Sequence, residues 1–302
     1  MSVVRRLVAA SAAAGATSLV RGALDWQPPG GAATWTRTNH RGEPVSLLEG
    51  PSLAAGVLAG ALVGTGGARA TAAATVAVVG SGAFGLVDDL REDTSTRTKG
   101  LRGHLGALAH GRLTTGGLKV LGIGASALAA AALAPPAGGA ASRPVARAVD
   151  TLASAALVAG TANLVNLLDL RPGRALKASA LVAAPLVTGP GGGVASAVLG
   201  AASTAIEADL AETDMLGDSG ANALGAALGA ALVLGAPRRV RLGALAVVVG
   251  LTLASERVSF TRVIERTPVL RELDAWGRRP AHVRRPAPVP AGGGRATGPD
   301  AA

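Results

Sequence analysis

Residues 78–89 read VVGSGAFGLVDD and combine two features that predict different folds. The three glycines form the G-x-G-x-x-G pattern of a dinucleotide-binding turn. The same stretch belongs to a charge-free run, 70–87, that ends on Asp88 and Asp89. The alternatives are therefore a soluble nucleotide-binding fold and a membrane helix that carries two carboxylates to its end.

A dinucleotide-binding turn requires a helix after the glycines and an acidic residue about 20 residues further on. After Gly85 the chain continues LVDDLREDTSTRTKG, which is too polar and too broken for that helix, and no Asp or Glu occurs between 94 and 149. The pattern is also weak evidence in a chain with 43 glycines. We therefore reject the nucleotide-binding turn and interpret the glycines as close-packing positions on a membrane helix.

Composition favours the membrane alternative. The 302 residues are 49% hydrophobic and 16% charged, with a mean hydropathy of +0.41, whereas a soluble domain has about 25% charged residues. The absence of cysteine excludes disulfides, thiolate metal sites and cysteine nucleophiles. The net charge of +10 is compatible with nucleic acid, acidic lipid or membrane topology, but an aromatic content of 2% disfavours single-stranded nucleic acid as a partner.

Charge-free runs organise the chain, and a bilayer span needs about 20 mostly apolar residues. The run 178–206 is too long for one span, and TGPGGG at 188–193 predicts a hairpin between spans near 174–189 and 191–206. The other runs are 7–20, 50–68, 70–87, 120–142, 151–168, 219–237 and 242–255. The predicted fold is all-α, a polytopic membrane helical bundle of about nine transmembrane helices, within a range of about 8–10.

The distribution of Lys and Arg predicts an outside N-terminus and a cytoplasmic C-terminus, because 20 of the 29 basic residues then lie inside. Arg5 and Arg6 locally favour the reverse orientation, and residues 1–20 also fit a signal peptide, the less favoured alternative. The predicted organisation is a transmembrane domain that carries the site, an amphipathic cytoplasmic segment and a disordered basic tail. These three parts cover 1–255, 256–280 and 281–302.

In this topology, three polar motifs reach the cytoplasmic side. They end the third span, end the fifth span and begin the eighth, and their members are Asp88, Asp89, Asn163, Asn166, Asp169 and Asp218. Aspartates at helix C-termini are disfavoured by about 0.3–1 kcal/mol each, and a bound divalent cation such as Mg²⁺ would relieve that cost. Taken singly, the motifs also fit a solvated flank, interhelical hydrogen bonds and, for Asp218 before Ser-Gly, a helix N-cap.

In this order, the motifs resemble the polyprenyl-phosphate N-acetylhexosamine-1-phosphate transferases, which include the phospho-N-acetylmuramoyl-pentapeptide transferases of peptidoglycan synthesis. GLVDDLREDTSTRTKGLRG is similar to the family's G-hydrophobic-DD segment with its downstream lysine. NLVNLLDLRPGRALK is similar to its N-x-x-N-x-x-DG segment, and MLGDSGANALG to its MGDxGS-x-x-LG segment. The resemblance covers residues 36–275.

The resemblance implies a membrane enzyme with a cytoplasmic site that transfers a sugar-1-phosphate from a UDP-sugar to a polyprenyl phosphate. It implies release of UMP, a requirement for Mg²⁺, and a homodimer or other envelope-synthesis proteins as partners. Asp88 and Asp89 would be catalytic and handle the lipid phosphate, one of them as a general base, and Asp218 with Asp89 would hold the metal. The substrate-binding residues would be Asn163, Asn166 and Asp169, with Lys99 on a phosphate.

The chain also departs from the family pattern. Leu170 stands in place of a glycine, GPSLAAG at 50–56 lacks the glycine pair of P-x-x-GG, and no histidine lies between His110 and His282, where the family has a histidine-rich loop. A catalytically inactive relative that binds a lipid carrier or acts as a scaffold is therefore an alternative. A transporter is less favoured, because its acidic residues would lie near mid-bilayer.

The sequence that replaces the histidine-rich loop is ERVSFTRVIERTPVLRELDAWGRR. It predicts amphipathic segments that lie on the membrane surface and are divided at Pro268. Their apolar residues are Val258, Phe260, Val263, Ile264, Val269, Leu270 and Leu273.

Overall fold

The computed structural model describes residues 2–91, Gly106, 114–136 and 143–280 of the chain. Lys99 and the tail 281–302 lie outside these residues. The described part is mostly α-helical. Its elements are α1 (Val3–Trp26), α2 (Ala32–Trp35), β1 (Thr36–Thr38), β2 (Pro44–Ser46), α3 (Glu49–Gly64), α4 (Ala68–Arg91), α5 (Thr115–Leu133), α6 (Pro144–Leu168), α7 (Arg174–Leu186), α8 (Gly192–Leu210), α9 (Gly217–Gly235), α10 (Arg238–Ser255), α11 (Phe260–Arg266) and α12 (Pro268–Ala275).

The helices agree with the predicted helical bundle. Each of the nine predicted spans coincides with one described helix, from α1 and then α3 through α10. Four helices, α1, α4, α5 and α6, are long and apolar enough to cross a membrane, and α10 with α11 would add a fifth that is bent by 97°. The length and apolar character of these helices indicate a membrane protein, while α3 and α7 have only 16 and 13 residues.

The predicted break at 188–193 is confirmed, because α7 ends at Leu186, α8 begins at Gly192 and the two helices pack against each other. The glycines of this turn are required by close backbone approach. A Cβ on Gly191 would overlap the carbonyl oxygen of Ala231, and a Cβ on Gly193 would overlap that of Gly64.

Helix α9 is the centre of the bundle. Fifteen of its 19 residues are buried, and it contacts α3, α4, α6, α7 and α8. Small residues permit these contacts: Gly225 and Gly229 lie against the backbone of α6 at Thr161 and Val158, respectively. Such small-residue packing is typical of helices that associate in membranes.

The glycines of the opening stretch are confirmed as packing positions. A Cβ on Gly85 would overlap the backbone of Asp218, a Cβ on Gly80 would overlap Ser126, and Gly82 lies against Ala223. Gly85 therefore lets the C-terminal part of α4 lie directly on the start of α9.

A small hairpin departs from the all-α prediction. Strands β1 and β2 pair antiparallel, with Arg37 opposite Val45. Between them, Asn39 accepts hydrogen bonds from the backbone N–H groups of Arg41 and Glu43, and Gly42 adopts φ = +83°. The turn residues, rather than hydrophobic periodicity, specify this element.

The C-terminal helices α11 and α12 are divided at Pro268, as predicted. Asp274 of α12 accepts two hydrogen bonds from the buried Arg174 guanidinium, at 2.6 and 3.1 Å. Burial raises the pKa of the Asp274 carboxyl, but the hydrogen bonds and charge of Arg174 outweigh it and hold the net pKa below its ordinary value. Val269 and Leu273 of α12 are exposed, as expected of an amphipathic surface helix.

Candidate functional site

Three helices meet at a charged cluster formed by Asp88, Lys119 and Asp218. The Lys119 Nζ lies 2.7 Å from Asp88 Oδ2 and 2.6 Å from Asp218 Oδ2. The side chains are 17%, 13% and 25% exposed for Lys119, Asp88 and Asp218, respectively. The structure thus joins two predicted site residues, from α4 and α9, through a lysine of α5.

The close contact of Gly85 with α9 explains this position, because Asp88 lies one turn beyond Gly85 on α4. The aspartates at the end of α4 were predicted to need a cation that offsets the helix dipole. For Asp88 that cation is the Lys119 ammonium, which belongs to the protein itself.

Asp89 has a different role from Asp88. Its Oδ1 accepts a hydrogen bond from the backbone N–H of Asp218 at 2.9 Å, and its Oδ2 accepts one from Ser219 at 2.8 Å. Asp89 therefore caps the N-terminus of α9 from a neighbouring helix. The backbone carbonyl of Asp89 in turn accepts a hydrogen bond of 2.6 Å from Arg37 of the hairpin.

The alternative interpretation of Asp218 as a helix N-cap does not hold. Helix α9 begins at Gly217, where φ is +61°, and Asp218 lies within its first turn. Asp89 caps α9 instead, because the start of α9 is buried against α4. The Asp218 side chain is thereby available to Lys119, and its backbone carbonyl accepts a hydrogen bond from Asn222 at 2.7 Å.

An apolar cavity of about 250 Å³ lies between α5, α6 and α10, and Lys119 is the cluster residue that lines it. Its other polar lining residues are Asn163, Asn166, Asn222 and Thr252. The rest of the wall is apolar and includes Val120, Ile123, Ala159, Val248, Val249 and Leu253. The arrangement suits a ligand with an apolar chain and a negatively charged end.

Asp169 lines a second cavity of about 210 Å³. Three-residue spacing places Asn163 and Asn166 together, but α6 ends at Leu168, so Asp169 departs from their helix face. Burial raises the pKa of the Asp169 carboxyl well above its ordinary value, and the negative charges of Asp209, Asp218 and Asp89 raise it further.

Each of the other acidic residues of this second cavity has a polar partner. Asp209 accepts a hydrogen bond from the backbone N–H of Gly173 at 2.9 Å. Asp214 lies 2.6 Å from an Arg21 nitrogen, and Glu212 lies 2.9 Å from Arg41 Nε. These contacts tie α1, the hairpin and α7 to the segment between α8 and α9.

The carboxylates that could bind a metal ion at the cluster are those of Asp88 and Asp218. Within the described ranges, the structure shows no group of three His, Cys, Asp or Glu side chains arranged to hold a metal. Both oxygens of Asp89, a predicted metal ligand, accept backbone N–H groups. Asp88 and Asp218 each contact Lys119 through Oδ2.

Sequence reasoning missed Lys119 and the buried Glu49. Lys119 is a single lysine close to an apolar run, a position that often marks function in a membrane segment, and this signal was present in the sequence. Glu49 is 3% exposed at the start of α3, and neither carboxylate oxygen has a hydrogen-bond partner among the described residues. The sequence offers no comparable signal for its burial.

No protein-family model and no curated protein match the sequence. The functional proposal therefore rests on the sequence motifs and on the geometry of the cluster and of the two cavities.

Proposed function

We propose that the protein is a Mg²⁺-dependent membrane enzyme that transfers a sugar-1-phosphate, of the N-acetylhexosamine type, from a UDP-sugar to a polyprenyl phosphate. UMP is the second product, and the reaction belongs to cell-envelope glycan synthesis. The observation that carries the proposal is the position of Lys119, which contacts Asp88 and Asp218 at the charged end of an apolar cavity.

The apolar cavity supports a polyprenyl phosphate as acceptor. Its apolar walls would bury part of the prenyl chain, and burial contributes about 25 cal/mol per Å² of apolar surface. The Lys119 ammonium would bind the phosphate, and Asn163 and Asn166 would hydrogen-bond near the same end. This assignment makes Lys119 the residue that aligns the lipid phosphate with the carboxylates.

Two carboxylates fit the coordination habit of Mg²⁺, which usually keeps several waters and takes one or two carboxylates together with substrate phosphate. Asp88 and Asp218 would hold the ion, because both Asp89 oxygens are engaged with α9. When bound, Mg²⁺ supplies charge neutralisation for phosphoryl transfer. Asp89 then positions Asp218 by fixing the first turn of α9.

Phosphoryl transfer depends mainly on positioning and charge neutralisation, so the residues need not form a covalent intermediate. Lys119 would orient the acceptor oxygen, and Asp88, which contacts Lys119 at 2.7 Å, would accept a proton from the acceptor. The UDP-sugar is proposed to approach through the second cavity, where Asp169 would contact the nucleotide.

The decisive measurement is UMP release by the purified full chain with undecaprenyl phosphate, Mg²⁺ and a panel of UDP-sugars. We expect Asp88→Asn and Asp218→Asn to lower the rate at least about 100-fold, the scale of losing one electrostatic contact in a transition state. Asp25→Asn is the control, because Asp25 is an exposed aspartate of α1 that pairs with Arg21 and lines neither cavity.

The same cluster also favours a second candidate, an inactive lipid-binding relative. Lys119 contacts both carboxylates, and Asp89 caps α9, so these side chains have structural partners without any substrate. Binding of undecaprenyl phosphate without UMP release from any donor would assign this role. Loss of lipid binding in Ile123→Trp, which fills the apolar cavity, is expected for both candidates.

We further propose nine transmembrane helices, with the N-terminus outside and Asp88 and Asp218 near the cytoplasmic face. The chain has no cysteine, so single substitutions report accessibility directly. Arg239 and Glu272 are both exposed in the structure, so a difference in labelling would reflect the side of the membrane. A membrane-impermeant thiol reagent added to intact cells should label Arg239→Cys and not Glu272→Cys. The opposite labelling pattern would indicate the reverse orientation, and labelling of both positions would contradict the nine-helix topology.

A further inference from the structure

A third cavity, of about 250 Å³, lies at the end of the bundle opposite Asp88 and Asp218. Helix α5 places Lys119 near one end and Ala131 near the other, about 18 Å apart at 1.5 Å per residue. The lining includes Ala131, Ala132, Ala134, Pro135, Pro136, Arg147, Asp150, Ser154, Arg238 and Arg241. We call it the basic cavity, since it combines three arginines with a single carboxylate.

Arg241 anchors the basic cavity. It is 5% exposed, its Nη1 donates a hydrogen bond to Ser154 Oγ at 2.9 Å, and its Nη2 donates to both oxygens of Asp150 at 3.0 and 3.1 Å. The buried Nε has no hydrogen-bond partner among the described residues. Arg238 lies 3.5 Å from the same Asp150, so one carboxylate faces two guanidinium groups.

The surrounding helix ends reinforce the positive potential. Helices α6 and α10 both begin at the basic cavity, and neither N-terminus has a side-chain cap. Their backbone N–H groups and the positive ends of their dipoles favour an anion. The carbonyls that end α5 would oppose this effect, but Arg69 donates hydrogen bonds to Leu133 O and Ala132 O at 3.2 and 3.3 Å.

We propose that the basic cavity binds a phosphate group, with Arg147 and Arg238 at its rim and Arg241 at its base. Arginine suits this ligand because its planar group forms paired charge-assisted hydrogen bonds with phosphate oxygens. The phosphate belongs to an anionic phospholipid headgroup or to a soluble phosphate ester. The inference uses neither the transferase activity nor the membrane orientation.

Native mass spectrometry of the full chain in detergent tests this proposal, with phosphatidylglycerol and phosphatidylcholine as the lipid probes. The double variant Arg147→Ala/Arg238→Ala is chosen because it leaves the Arg241–Asp150 pair intact. We expect phosphatidylglycerol to bind about tenfold more tightly than phosphatidylcholine to the wild type, and the double variant to lose that preference.

Arg239→Ala is the matched control, since Arg239 is exposed in the same first turn of α10 and does not line the cavity. Its affinity for phosphatidylglycerol should stay within about twofold of the wild type. Direct binding of glycerol 3-phosphate by the wild type and not by the double variant, with no preference between the two lipids, would support the site and assign it to a soluble phosphate ester. Equal binding of the two lipids without binding of glycerol 3-phosphate, or equal losses in Arg239→Ala and the double variant, would overturn the proposal.

Discussion

The two ends of the bundle handle charge in opposite ways. At the end that contains Asp88, Asp89 and Asp218, acidic side chains lie at helix ends and are neutralised by Lys119 and by backbone N–H groups of α9. At the opposite end, arginine side chains bind backbone carbonyls where helices finish. At the first end, carboxylates are therefore held by groups of neighbouring helices, whereas at the second end arginines bind the carbonyls of helix C-termini.

Arg5, Arg6 and Arg69 show how the opposite end is stabilised. Arg5 donates a hydrogen bond to Val63 O near the end of α3 at 3.0 Å, and Arg6 donates one to Thr188 O beyond α7 at 2.8 Å. Cations at helix C-termini offset the helix dipole. In the proposed orientation Arg5 and Arg6 would be exceptions to the positive-inside pattern, and these contacts give them a structural role.

Removing Lys119 should produce the largest loss of unfolding free energy at either end of the bundle. Lys119→Met leaves the carboxylates of Asp88 and Asp218 together without a counter-ion, and breaking a buried ion pair costs about 3–5 kcal/mol. The free energy of unfolding of the detergent-solubilised protein should fall by that order. Adding Asp88→Asn to Lys119→Met should recover part of the loss, and a double variant no more stable than the single one contradicts the ion cluster.

The contact of α4 with α9 provides the next largest effect. Gly85→Ala places a methyl group against the backbone of Asp218 and should destabilise the protein by about 1–3 kcal/mol, as overpacking does. Gly124→Ala on α5 is the control, because its Cβ has open space, and it should be neutral or stabilise by about 0.4–1 kcal/mol. Thermal unfolding compares the two, and equal effects would show that Gly85 does not set the helix contact.

A pH titration probes the attachment of α12 to the end that contains Asp88. Because the pKa of Asp274 is lowered in the folded state, its carboxylate stabilises the attachment of α12 fully above its ordinary pKa. This stabilisation is lost as the pH falls through the lowered value. Amide exchange in α12, corrected for intrinsic rates, should therefore rise below about pH 4. Asp274→Asn should show raised exchange already at neutral pH. Unchanged exchange would assign the attachment to Lys177, whose ammonium donates hydrogen bonds to the backbone carbonyls of Leu273, Asp274 and Trp276.

The smallest effect is expected at the opposite end. Arg69→Ala removes a cation from the C-terminus of α5 and should lower the free energy of unfolding by about 0.3–1 kcal/mol, with less effect in high salt. Thermal unfolding at two salt concentrations measures this difference. A loss of unfolding free energy as large as that of Lys119→Met would contradict the proposed difference between the two ends.

The length of the charge-free runs predicted the helices well, because a long apolar run has few alternatives in a bilayer. The break at Pro190 and the packing role of Gly85 followed from residue type alone. The hairpin 36–46 was missed, since its strands have three residues each and carry too little periodicity to detect.

The helical bundle and the aspartates that end α4 and begin α9 could be predicted from the sequence, because these features depend on local composition. The partners of these aspartates depend instead on how the helices pack against one another. Asp89 caps α9 and Asp88 contacts Lys119 because Gly85 brings two helices together that are 130 residues apart in the chain. Adjacent residues on a helix point in different directions, and therefore the two neighbouring aspartates acquire different chemistry from different neighbours.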